Sequence, residues 1–140
     1  MEAKDTVRLE VLTPERQVID AQASFVAAPG TEGEFGVLPG HADFFTLLKS
    51  GEVSYESGGS RHYIAVSWGY AHVNPSTVSI LVENAEKAED IDIERAKKDF
   101  DRWEMELAGI TSEDKNFPVY KARMDRAQAR MDVASRLSKK

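Results

Sequence analysis

Residues 77–107, "TVSILVENAEKAEDIDIERAKKDFDRWEMEL", change period in mid-course. Val78, Ile80 and Val82 alternate with polar neighbours. A period of two places one set of side chains on the buried face of a strand. Ile93, Ala96, Phe100, Trp103 and Leu107 then fall at steps of 3, 4, 3 and 4. That spacing lays an apolar seam along a helix, and Asp90 reads as the N-cap before it. One switch of this kind predicts a β module followed by an α module.

Upstream of the switch the period of two recurs. Val7, Leu9 and Val11 alternate with charged neighbours, and Ile64, Val66 and Trp68 alternate in "HYIAVSW". "ESGGSR" reads as a hairpin loop and "VNPST" as a turn, so residues 1–84 are predicted to form an antiparallel β-sandwich or barrel. Within it "EGEFGVLPGHADFF", residues 32–45, reads as a strand, a tight turn and another strand. Gly30, Gly33, Gly36 and Gly40 relax the backbone there and Pro39 stiffens the turn. The exposed tips then carry Glu32, Glu34 and His41.

Downstream, Gly109 stops the first helix, "ITSEDKNFP" is a loop, and Pro118 suits the first turn of a second helix. Tyr120, Met124, Ala127, Met131 and Ala134 repeat the steps 4, 3, 4 and 3. Residues 85–140 are therefore predicted to form an antiparallel two-helix hairpin, with helices at about 91–108 and 118–138. Three of the ten seam residues are alanines, which bury little apolar surface. The hairpin is thus expected to depend on docking against the sandwich or a partner, and a ligand can choose between folded-back and opened arrangements.

The 140 residues are 41% apolar and 30% charged, the balance of a globular chain. With no cysteine there is no disulfide and no thiolate zinc site. No apolar run reaches membrane-spanning length, and "MEAKDTVRLE" lacks the apolar stretch of a signal peptide. The expectation is a soluble, unprocessed protein with no direct membrane insertion. The net charge of −6 divides unevenly, with −6 in residues 1–84, −5 in 85–115 and +5 in 116–140. An acidic body disfavours nucleic acid. The basic terminal stretch is either a solvated helix face or a surface for an acidic protein partner.

Motifs of catalysis are absent from the sequence. A phosphate loop presents free backbone amides at a helix start and usually a lysine. "GTEGEFG" instead places Glu32 and Glu34 inside the glycine run, between strands. His41, His62 and His72 stand 21 and 10 residues apart, without the pairing that puts two imidazoles on one face. Ser60 near His62 has no nucleophile-elbow context, and no pair among the 24 acids is singled out. The expectation is no catalytic residue and no metal.

"FVAAPGTEGEFGVLPGHADFFTLLKSGEV" closely resembles the signature stretch of the epsilon subunit of bacterial and chloroplast rotary ATP synthases. "IDIERA" resembles a second, shorter motif of that family, and the likeness runs over nearly the whole chain. Asp43 and Ser50 depart from it, standing where family members commonly have proline. The resemblance implies a non-catalytic central-stalk subunit of a proton-translocating complex, peripheral on the cytoplasmic face of the bacterial cell membrane. In the family the sandwich grips the gamma subunit, and its lower loops rest on the c-ring. Glu32, Glu34 and His41 match the positions that face that ring. The family's helices fold against the sandwich or extend into the alpha and beta head, where they restrain ATP hydrolysis; an acidic segment of beta is then a target for the basic tail.

The resemblance also implies that no cofactor is required but that ATP can be a regulatory ligand. Glu86, Asp92, Arg95 and Arg102 are similar to the family's nucleotide-binding pattern, with Arg126 and Arg130 at matching spacing on the second helix. At 100° per residue Asp92, Arg95 and Arg102 share an arc of about 80°, and guanidinium forks suit phosphate. The alternative is that these arginines pair with Asp99, Glu106 and other helix acids. Two other classes remain open: a small β-sandwich enzyme or sugar-binding module with a helical tail, and a helical-hairpin adaptor of an unrelated assembly. An enzyme should show convergent acids or histidines in a pocket; a stalk subunit should show an exposed apolar face.

Overall fold

The computed structural model describes residues 5–40 and 43–137. Ten strands come first: β1 Val7–Leu12, β2 Gln17–Ala23, β3 Phe25–Gly30, β4 Gly33–Val37, β5 Phe44–Leu48, β6 Gly51–Ser57, β7 Ser60–Val66, β8 Gly69–Val73, β9 Thr77–Val82 and β10 Ala85–Lys87. A 3-10 turn, Ala88–Asp90, leads to α1, Ile93–Ala108, and α2, Phe117–Ala134. The strands run in the order β10-β7-β6-β3-β5-β8-β9-β1-β2, with β4 beside β3. β2 packs against β6, so the sheet curls nearly into a closed barrel.

The alternating residues supply the core. Leu9, Val11, Val26, Val53, Ile64 and Ile80 are all buried in one cluster. Pairings are antiparallel except β1 with β9, which is parallel from Arg8↔Thr77 to Leu12↔Leu81. A parallel pair needs a long connection rather than a hairpin, so periodicity in either strand carries no trace of it. The β6–β7 hairpin turns through Gly58 and Gly59, both at positive φ (62° and 81°), as a two-residue loop of this hand requires. At the β8–β9 turn, Asn74 Oδ1 accepts from the backbone N–H groups of Ser76 and Thr77.

Several expectations are corrected. Trp68 does not continue the buried set of β7; it lies beyond the strand and is 60% exposed. Of the four glycines assigned to backbone freedom, Gly33 and Gly40 take positive φ. Gly36 is small for another reason: a Cβ there would meet the Phe25 ring at 2.8 Å. The strand, turn and strand expected in residues 32–45 are present as β4, the turn at Pro39 and Gly40, and β5, but the two strands do not pair with each other: β4 pairs with β3, while β5 pairs with β8 and meets β3 only at Gly30↔Leu48.

The helices follow the predicted hairpin with shifted ends. Asp92, not Asp90, caps α1: the Arg95 N–H donates to Asp92 Oδ1 at 3.1 Å, while Asp90 belongs to the 3-10 turn. α2 begins at Phe117, with Pro118 in its first turn, and ends at Ala134 rather than near 138. Residues 138–140 lie outside the described residues. The helices pack together, and Trp103 and Tyr120 meet with ring centroids 5.2 Å apart.

α2 has two buried faces where the sequence suggests one. Ala127 lies on the predicted seam, but Ala129 and Val133 are buried as well. Val133 joins Ala65 and Ala88 in a second cluster, with Tyr63 and Ile91 against it. Ion pairs from α2 and the turn after it reach the sandwich: Arg130 Nε to Glu86 Oε1 at 2.8 Å and Arg136 Nε to Glu52 Oε1 at 2.6 Å. The hairpin is therefore folded back, and α2 is its docking helix.

Candidate functional site

Two surfaces stand apart from the rest of the fold. The first is the outer side of β5 and β8. Their register sets Phe45 opposite His72 and Leu47 opposite Tyr70. Leu48, Ala71 and Val73 point into the core, so Phe45, Leu47 and Tyr70 point outward by the strand's alternation. Phe45 and Leu47 are 60% and 57% exposed, and the Phe45 and Tyr70 rings stack at 5.0 Å. Beside them Leu12, Pro14, Trp68, Tyr70, Leu81 and Val82 line a shallow apolar recess. Scattered exposed apolar residues are ordinary; aromatic and aliphatic groups concentrated on one strand pair mark a surface that another molecule covers.

The sequence signal for this face is "FFTLL", residues 44–48, an apolar run without strict alternation in an antiparallel sheet. A strand wetted on one side should alternate with polar residues, so β5 is built for cover on both.

Glu32 occupies the two-residue link between β3 and β4, and Glu34 sits on β4 opposite Pro29. Both are exposed at that end of the sandwich. His41 lies outside the described residues. His62 stacks on Tyr55 at 4.9 Å, whereas His72 pairs with Asp43 at 3.0 Å. Among the described residues no group of His, Asp or Glu is arranged to hold a metal ion.

The second surface is a polar groove of about 370 Å³ where the hairpin meets the sandwich. Ser67 and Asn84 lie on its sandwich side, hydrogen-bonded to each other; Glu86, Arg95, Arg126 and Arg130 also line it. Arg130, its side chain only 12% exposed, bridges Glu86 and Asp99, the latter at 3.5 Å. Partial burial and then the neighbouring Arg130 charge hold the Arg126 guanidinium below its ordinary pKa.

Of the six residues matched to the nucleotide pattern, the fold brings Glu86, Arg95, Arg126 and Arg130 to this groove. Asp92 is instead occupied as the cap of α1. Arg102 faces an adjoining recess of about 330 Å³ with Trp103 and Arg123, which Asp99, Arg126 and Arg130 also line. Asp99 does pair with Arg130, as the alternative reading expects; Arg102 and Arg126 form no salt bridge among the described residues.

Comparison with known proteins adds identity to this geometry. Residues 6–88 match the family described as ATP synthase, Delta/Epsilon chain, beta-sandwich domain, and residues 89–135 match its long alpha-helix domain. The chain is 46% identical over 136 residues to the ATP synthase epsilon chain of Citrifermentans bemidjiense, covering 97% of this chain and 99% of the relative. It is 43% identical over 136 residues to that of Geotalea uraniireducens, with the same coverage. Among solved structures, a chain of the Euglena gracilis mitochondrial ATP synthase, OSCP/F1/c-ring, superposes with a TM-score of 0.78 at 23% identity, covering 94% of this chain and 82% of that one. A chain of the Tetrahymena thermophila ATP synthase central stalk and c-ring gives 0.60 at 13% identity, covering 96% and 98%. At those identities the two structures share the fold.

Proposed function

The chain belongs to the ATP synthase epsilon-chain family, non-catalytic subunits of that complex, and from this premise we propose that its sandwich clasps the gamma shaft and couples it to the c-ring. The observation that carries the reading is the apolar face of Phe45, Leu47, Trp68 and Tyr70, which is costly to leave in water at about 25 cal/mol per Å². Glu32 and Glu34, at the β3–β4 end, are the residues offered to the c-ring, together with His41. Such a subunit works on the cytoplasmic face of the bacterial cell membrane, within a proton-translocating complex. Among the described residues no helix is long and apolar enough to cross a membrane. Co-expression with the gamma subunit of the same complex tests the reading. The expected result is a stable pair through purification; a chain that elutes alone at micromolar concentration rejects it.

The hairpin is proposed to leave the sandwich, extend toward the alpha and beta subunits and restrain ATP hydrolysis. What supports this is the modest docking interface. Burial of Val133 is worth about 1.5–3 kcal/mol, and partly exposed ion pairs such as Arg136–Glu52 about 0–1 kcal/mol each. A docking energy of a few kcal/mol lies within the range that a ligand or partner can overcome.

ATP is proposed as the regulatory ligand of the folded-back state, held by Glu86, Arg95, Arg126 and Arg130. A ligand between sandwich and helices binds only while they are docked, so it stabilises docking by mass action. Titration of the full chain with Mg-ATP, read by Trp103 fluorescence, is expected to give a saturable change. A flat response up to millimolar nucleotide rejects ATP regulation and leaves the stalk assignment intact.

A further inference from the structure

We propose that the recess beside the apolar face, bounded by Trp68, Tyr70 and Glu83, receives a basic side chain of the gamma shaft. The recess rests on the shaft reading and adds to it the charge that the partner must supply. Its volume is about 260 Å³, and it lies where the end of β1, the start of β8 and the end of β9 meet. Leu12, Pro14, Leu81 and Val82 make its walls apolar, and Trp68 and Tyr70, 60% and 38% exposed, add two aromatic rings. Gly69 lets β8 close on β9 between those rings: a Cβ there would collide with the Leu81 carbonyl oxygen and stand 2.7 Å from the Val82 Cα.

Glu83 is the one charged residue that lines the recess among the described residues. Its backbone N–H donates to the Trp68 carbonyl at 3.1 Å, which holds the acid beside the tryptophan. The side chain is exposed and forms no salt bridge among the described residues. Arg16, two residues beyond Pro14, lines the polar groove and not this recess, and it forms no salt bridge there either. An apolar side chain of a partner would fill the space but cover the Glu83 carboxylate without a counter-charge, which is costly. An acidic one would add a like charge. A lysine or arginine meets every requirement: its methylene stem packs on the leucines and the proline, and its cationic head reaches both an aromatic face and the carboxylate. Tyr70 belongs to the recess and to the Phe45–Tyr70 stack, so a partner that covers the apolar face also reaches the recess. The charge of −6 on residues 1–84 favours a cationic approach.

The test measures the affinity of the full chain for the gamma subunit at rising salt. Glu83→Gln keeps the size of the side chain and removes its charge; it is expected to weaken capture about tenfold at low salt, by a margin that shrinks as salt rises. Glu15→Gln removes an exposed acid that lines the groove but not the recess, and is expected to change affinity less than about twofold. Trp68→Leu retains apolar cover without the aromatic face and is expected to lose about two- to fivefold. Because Glu83 is exposed, its variant should keep the thermal transition of the unmodified chain, so a weaker pair reports a lost contact. An unmodified chain that captures no gamma subunit rejects the shaft reading and this occupant with it. Capture that Glu83→Gln weakens no more than Glu15→Gln does rejects the recess and leaves the shaft reading standing. Capture strengthened by Glu83→Leu overturns the assignment in favour of an apolar side chain.

Discussion

Replacing Leu47 and Tyr70 together, by aspartate and serine, is expected to weaken the proposed capture of the gamma shaft severely while the isolated chain stays folded. Both side chains stand on the outer side of the sheet, directly across from one another, 57% and 38% exposed. Their inward neighbours Leu48 and Ala71 keep the core unchanged. Surface replacements of this kind shift stability within about 0.5 kcal/mol. At an interface, by contrast, a buried aromatic or aliphatic anchor is worth about 2–4 kcal/mol, and a carboxylate placed there adds a desolvation cost. As cross-strand neighbours the two do not act independently, so the loss is not the simple sum of the single losses. A fall of about 100- to 1,000-fold in affinity is expected, read by co-purification and by titration of the isolated subunits. Retained capture would move the shaft-binding surface elsewhere on the sandwich.

Val133→Asp is expected to release the hairpin without unfolding the sandwich. Val133 is fully buried against Ala65 and Ala88, and the cluster around it, completed by Tyr63 and Ile91, holds no cation to meet a carboxylate there. Leaving a charge unpaired in such a site costs about 3–5 kcal/mol, more than the few kcal/mol attributed to docking, so α2 leaves the sandwich instead of burying the charge. The sandwich core does not include this position. Amide exchange should then lose protection in α1 and α2 while β1, β6 and β9 keep theirs. In a reconstituted complex the same substitution separates the two roles of the hairpin: a change in ATP hydrolysis is expected if its position sets the restraint. Helices that stay protected would show that docking is stronger than this interface accounts for.

Much of this architecture was legible in the chain, and for local reasons. Val78, Ile80 and Val82 are buried because alternate residues of a strand share a face; the Gly58–Gly59 loop turns because glycine accepts positive φ. The first helix keeps its seam from Ala96 through Phe100 and Trp103 to Leu107, but Ile93 in its first turn is 38% exposed, and Asp92 rather than Asp90 caps it, since two acids two residues apart offer the same oxygen and only the path of the preceding turn selects one. The candidate binding residues were less legible. Spacing gathered Arg126 with Arg130 and placed Arg95 nearby, but could not show that Asp92 is spent on the helix end or that Arg123 shares a ring with Arg102.

The sequence by itself determined the change from a β module to a helix pair and placed β1, β7, β9 and both helices to within a few residues, because periodicity and turn chemistry act between residues a few positions apart. Only the tertiary structure decided that β1 lies parallel to β9, that α2 buries Ala129 and Val133 against the sandwich as well as Ala127 on its seam, and that Trp68 faces outward. Each of these depends on what stands opposite a residue in space, and chain elements far apart in sequence supply it: Glu86 meets Arg130 and Glu52 meets Arg136 only after the helices have folded back.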